Sequence, residues 1–153
     1  MHGDDRMAEM NFVMVGVDGS KYSENALEKA IDIAKKYDTE LHIVHIYNAS
    51  GQYYNFPGHG EFKVPEKDEK YLQLLMKSYS EKATKAGVKK AVIKIIVAPT
   101  HAGAGLVAEA DKKCPIITIV GARGMTGVTR TLLGSVSDYV VRHSPCDVYV
   151  VRS

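Results

Sequence analysis

The sequence predicts an α/β fold: an open parallel sheet covered by helices on both faces. Two observations predict it. Five short apolar runs, rich in β-branched residues, recur along the chain and are continuous rather than alternating, as strands buried on both faces require. Amphipathic stretches of helical period lie between consecutive runs. The order is β-α-β-α-β-α-β-α-β, that of a doubly covered parallel sheet.

The elements follow in order. Phe12 to Val17 is the first run, apolar apart from Gly16. Asp18-Gly19-Ser20 follows it, and Ser20 is a good N-cap for a helix whose Leu27, Ala30, Ile31 and Ala34 share one face. Leu41 to Ile46 is the second run. Tyr71, Leu75, Tyr79 and Ala83 form the stripe of a second helix, with Pro65 before it and Gly87 after it. Ala91 to Val97 is the third run, and Leu106, Val107 and Ala110 mark a third helix. Ile116 to Val120 is the fourth run, Val136, Tyr139, Val140 and His143 mark a fourth helix, and Val148 to Val151 closes the pattern.

The 153 residues correspond to one domain, 11–153, behind a polar extension, 1–10, expected to be flexible. Apolar residues make up 45%, enough for a real core without metal or disulfide staples. Disordered, collagen-like and coiled-coil classes are excluded on the same grounds. Twenty basic and eighteen acidic residues leave a formal charge of +2, which argues against nucleic-acid binding over a dense basic face. Lys35-Lys36, Lys112-Lys113 and Arg142-His143 fall in the last turns of expected helices, where positive charge complements the helix dipole. Lys89-Lys90 lies just past Gly87. Cys114 and Cys146 are too few for a disulfide scaffold and read as half-buried thiols. No apolar leader follows Met1, and no run approaches the ~20 residues of a membrane span. A cytoplasmic protein without membrane partners is the expectation.

In open α/β sheets, ligands bind at the carboxyl ends of strands where strand order reverses. The first run ends in Asp18 and the fourth in Gly121. Periodicity does not set strand order, but a reversal between these two runs would put Asp18 and Gly121 on one crevice. From Gly121 the chain reads Gly121-Ala122-Arg123-Gly124, then Gly127, Arg130 and Gly134-Ser135-Val136-Ser137-Asp138. Two readings stand for this segment. Free N–H groups at a helix start, two hydroxyls and nearby arginines make an anion site. Alternatively, Ser135 and Asp138 are a capping pair behind a glycine-rich surface loop.

Other chemistry is poorly supported. Gly103-Ala-Gly105-Leu-Val-Ala108 has the form of a dinucleotide fingerprint but starts five residues past its strand, with Pro99 between. The Gly-x4-Gly-Lys-Ser/Thr phosphate loop is absent. His42 and His45 point to opposite faces of a strand and cannot share a metal. Ser20 has no evident histidine base, so nothing resembles a hydrolytic triad.

The spacing Gly121-x2-Gly124-x9-Gly134-Ser135 resembles the nucleotide loop of the universal stress protein family. The likeness runs from about Asn11 to Ser153 and includes Val15 to Ser20, His45-Ile46 and Ser144 to Val148. It implies a five-stranded parallel sheet in order 3-2-1-4-5, Rossmann-like and adenine nucleotide α-hydrolase-like. It also implies membership of the branch that binds ATP or another adenine nucleotide, with Mg²⁺ carried through the phosphates and Asp18 as its only candidate protein ligand. Carried over residue by residue, Asp18 lies at the base or ribose end, with the backbone of Val17 and Ile46 around adenine. Gly121 and Gly124 pass the ribose and phosphates. Gly134, Ser135, Val136 and Ser137 hold phosphates, and Arg123 fills a variable slot beside them. Ala98 departs from the pattern, since many relatives have glycine there. For Asp18, the other reading is a turn residue that binds its own backbone.

Two further features bear on partners. Tyr47 to Pro65 is 19 residues without periodicity and holds five of the twelve Phe and Tyr residues. It is either a lid or partner surface, or a segment whose aromatics tuck against the domain. The last run, Val148 to Val151, would be a sheet edge open to pairing with a second copy, giving a homodimer; the resemblance implies the same. The functional expectation is an ATP-binding regulatory module in a stress response. The alternatives are a slow ATP hydrolase and a partner-binding protein with an empty pocket.

Overall fold

A computed structural model of the chain describes residues 11–48, 64–123 and 133–152. The expected elements form in the expected order: β1 (Phe12–Gly16), α1 (Lys21–Lys36), β2 (Glu40–Asn48), α2 (Glu66–Ala86), β3 (Ala91–Ala98), α3 (Ala102–Lys113), β4 (Ile117–Gly121), α4 (Ser135–His143) and β5 (Asp147–Val151). All neighbouring strands pair in parallel, in the order β3-β2-β1-β4-β5. The chain moves from β1 to β2 and β3 on one side, then crosses to β4 and β5 on the other. The reversal point therefore lies between β1 and β4, as a Rossmann-like sheet requires.

Alternation along β1 and β2 divides the core in two. Val13, Val15, Leu41 and Ile43 face α1 and α2, where Leu27, Ile31, Met76 and Tyr79 meet them. Phe12, Met14, Val44 and Ile46 face α3 and α4, against Leu106, Ala110 and Val140. Both faces of the central strands are buried, which is why their sequences are continuous apolar runs. No helix among the described residues is long and apolar enough to cross a membrane.

Two boundaries differ from expectation. In α2 the buried row is Leu72, Met76, Tyr79 and Ala83, while Tyr71 is 64% exposed. Residues spaced strictly by four advance 400° per step, so the row 71-75-79-83 drifts 40° per step around the helix; the 4-3-4 spacing of the true row holds to the 3.6-residue period. Strand β2 also runs two residues further than its apolar run. Tyr47 is thus a strand residue, and its hydroxyl donates to Asp68 Oδ2 at 2.9 Å, tying the first turn of α2 to the sheet. The rest of the aromatic segment, 49–63, lies outside the described residues, as do 1–10 and 124–132, with Gly124, Gly127 and Arg130.

Glycines set two close approaches in the α3 layer. A Cβ on Gly103 would come within 2.9 Å of the Tyr139 side chain, and one on Gly105 within 2.8 Å of Ile46. These glycines let α3 lie close to α4 and the sheet, which accounts for the fingerprint-like spacing without a dinucleotide. Basic residues end α1, α3 and α4 as expected. Cys114 and Cys146 are both free and half-buried.

Candidate functional site

At the carboxyl edge of the sheet, a cleft of about 410 Å³ opens at the reversal point. That volume is within the usual range for small-molecule sites. Val17, Asp18, Ile46, Gly121, Arg123, Gly134, Ser135, Val136 and Ser137 all line it. Every candidate residue within the described part of the chain is therefore brought to one place; Gly124 lies outside it.

The β1 side is a locked turn. Gly19 has φ +84°, in the left-handed region that glycine adopts without strain. Asp18 Oδ1 accepts the Ser20 N–H at 2.9 Å, the Asp18 N–H donates to Ser23 Oγ at 3.2 Å, and Ser20 Oγ accepts the Ser23 N–H at 3.2 Å. Asp18 thus binds its own backbone, as the turn reading has it, and also faces the cleft, as the ligand reading has it. Burial pushes the Tyr79 phenol up to about 12, with Glu24 and Asp18 adding to the effect. Tyr79 is accordingly neutral, buried in the core near this turn.

Val17 offers less than the resemblance implies. Its N–H donates to the Val44 carbonyl at 2.9 Å, and His45 Nδ1 sits 2.8 Å from its carbonyl oxygen. A carbonyl can only accept, so Nδ1 carries the proton in this contact. What remains to Val17 is its side chain and the second lone pair of that carbonyl. Ile46 differs. The β1 ladder ends where Gly16 faces Val44, so Ile46 runs past it, and its β1-facing N–H and carbonyl have no β1 residue to pair with.

The β4 side carries the positive field. Gly134, not Ser135, is the N-cap of α4, and no side chain caps this helix. Asp138 instead pairs with Arg142, whose Nε lies 3.1 Å from both carboxylate oxygens. The capping-pair reading is thereby set aside. The first backbone N–H groups of α4, at Ser135, Val136 and Ser137, have no intrahelical acceptor. Ser137 Oγ, however, donates inward to the Ala122 carbonyl at 2.9 Å, with the Gly134 carbonyl at 3.1 Å. Its hydroxyl proton is committed to the fold, which leaves its backbone N–H for a ligand.

Arg123 places its guanidinium over the Tyr22 ring, with Cζ 5.0 Å from the ring centroid. Its Nε is shielded from solvent and has no hydrogen-bond partner among the described residues. An unanswered donor on a charged group is costly, and this one belongs to a side chain lining the cleft. An anion in the cleft would meet the positive charge of the same guanidinium. Among the described lining residues Asp18 is the one carboxylate, and no cluster of three metal-ligating side chains exists among the described residues.

Sequence reasoning missed Ser23, Asn48, Ala102 and Leu106, which also line the cleft. Ala102 could have been found from topology, because every helix following a parallel strand starts at this same edge. Leu106 could not, since its apolar spacing reads only as core.

Comparison with known proteins agrees with this architecture. Residues 10–152 match the family model of the universal stress protein family. A protein of Staphylococcus saprophyticus assigned to the universal stress proteins is 36% identical over 141 residues, covering 92% of this chain and 83% of its own. A universal stress protein solved in complex with cAMP is 26% identical, with a TM-score of 0.69 over 94% of this chain and 98% of its own. The universal stress protein from Archaeoglobus fulgidus in complex with dAMP superposes with a TM-score of 0.66 at 21% identity, covering 90% and 94%. From strand order to motif spacing to these matches, the conclusion is the same: this chain belongs to the universal stress protein family.

Proposed function

We propose that this chain is a regulatory module that binds an adenine nucleotide, ATP above all, in the cleft between β1 and β4. The observation that carries the reading is that the start of α4, whose first N–H groups have no intrahelical acceptor, and the Arg123 side chain line one cleft. Backbone donors at a helix start suit a phosphate, and a preoriented guanidinium adds charge-assisted bonds. The base and ribose would lie toward Ile46, Val17 and Asp18, with Gly121 and Gly124 along the ribose and phosphates. The neighbours solved with cAMP and dAMP support an adenine ligand. Magnesium fits only through the phosphates and water, because Asp18 alone cannot supply an octahedral protein cage. The stress-linked, cytoplasmic role comes from the family reading. The exposed Tyr149 on edge strand β5 supports a homodimer through Val148 to Val151, and light scattering at micromolar concentration tests it.

The test of nucleotide binding is calorimetric titration with ATP, ADP, AMP and cAMP, for the wild type and for Gly134→Val. Gly134 is buried at the start of α4 and its N–H donates to Ala122 at 2.6 Å. A branched side chain there displaces the α4 donors, and affinity should fall at least about tenfold, or 1.4 kcal/mol. Unchanged affinity would remove the α4 start from the site.

A further inference from the structure

We infer that Tyr22 gives the cleft its preference for phosphate-bearing ligands over the bare nucleoside, by holding Arg123 at the phosphate end. The inference rests on the nucleotide reading above and names what discriminates within that site.

Three residues, Gly121, Tyr22 and Arg123, make one unit. Gly121 ends β4, and a Cβ there would lie 2.9 Å from the Tyr22 carbonyl oxygen. Its absence lets the first turn of α1 settle on the strand end. The Tyr22 ring then meets the Arg123 guanidinium, two residues beyond Gly121. Arg123 has no ion pair and no Nε partner among the described residues, and among them the Tyr22 ring is the contact that orients it. A guanidinium held over a ring face keeps its N–H groups free for an acceptor, because the π face takes none of them as a conventional hydrogen bond. A side chain ordered before binding loses less entropy when it takes up a phosphate oxygen. Tyr22 touches no ligand in this account; it is a positioning residue that acts through Arg123.

The experiment measures affinities for adenosine, AMP and ATP across wild type, Tyr22→Phe, Tyr22→Leu, Arg123→Gln and the Tyr22→Leu/Arg123→Gln double variant. Tyr22→Leu keeps an apolar side chain and removes the π face, and the adenosine affinity reads out any general loss of packing. Tyr22→Phe, with its ring intact, should bind like wild type. Tyr22→Leu and Arg123→Gln should each weaken AMP and ATP about three- to tenfold and leave adenosine within twofold. The double variant should be no worse than Arg123→Gln. Equal losses for adenosine and ATP, an unchanged ATP affinity in Tyr22→Leu, or additive losses in the double variant would each overturn the inference while leaving the nucleotide reading intact. A wild type that binds neither adenosine nor ATP overturns both.

Discussion

Ser137 Oγ donates to the carbonyl of Ala122 at 2.9 Å, fifteen residues back along the chain. The same carbonyl accepts the Gly134 N–H. Two donors from the start of α4 thus converge on the exit of β4, and this pins the helix N-terminus to the cleft. Ser137→Ala removes one of them at a buried position. It should cost about 1–2 kcal/mol in urea denaturation and weaken ATP severalfold, because the helix start loosens. A destabilised variant with undiminished affinity would separate the pin from the site.

Gly121 and Gly16 both lie against neighbours, but against different kinds of atom. A Cβ on Gly121 meets the Tyr22 backbone at 2.9 and 3.0 Å, whereas one on Gly16 meets methyl groups of Leu106, the nearest at 2.7 Å. A leucine tip can rotate away; a helix backbone cannot move without shifting the element. Gly121→Ala should therefore destabilise by about 1–3 kcal/mol and Gly16→Ala by clearly less, read from paired denaturation curves.

At the opposite edge of the sheet, His42 stacks on Phe12 at 3.9 Å and its Nε2 lies 3.2 Å from Glu40 Oε2. Burial holds its imidazole below the ordinary 6.5, and nearby Lys94 adds to this, while Glu40 and Glu109 oppose it. Below 6.5 the unfolded chain takes up a proton that the folded one resists, so stability is full above that pH and declines as pH falls. Glu40, held low by its hydrogen bond to His42, adds a second loss below 4.5. Stability measured against pH should therefore rise with pH up to 6.5, and His42→Gln should flatten that part of the slope. An equal slope in the variant would assign the effect elsewhere.

The sheet was legible because its central strands are buried on both faces, so largely apolar, β-branched runs such as Phe12 to Val17 stand out from helical periods. Strand order was not, because a run such as Ile116 to Val120 carries no mark of its neighbour; it entered through resemblance. Among the described residues, the candidates set by spacing, Gly121, Arg123 and Gly134 to Ser137, line one cleft. What escaped was how they are used. The Ser137 hydroxyl turns inward and the Val17 backbone is already engaged, and these are three-dimensional facts about neighbours far off in sequence. The α2 stripe was misread by one residue at Tyr71 because two adjacent rows of that helix are both apolar.

The central claim is that the start of α4 and the exit of β1 hold two ends of one adenine nucleotide. Amide proton and nitrogen shifts recorded during titration with ATP test it most directly. The account predicts saturable shifts at Ser135, Val136 and Ser137 together with Asp18 and Ile46, and none at His42 or Lys112 on the far edge. Shifts confined to that far edge, or none at millimolar ATP, would contradict it.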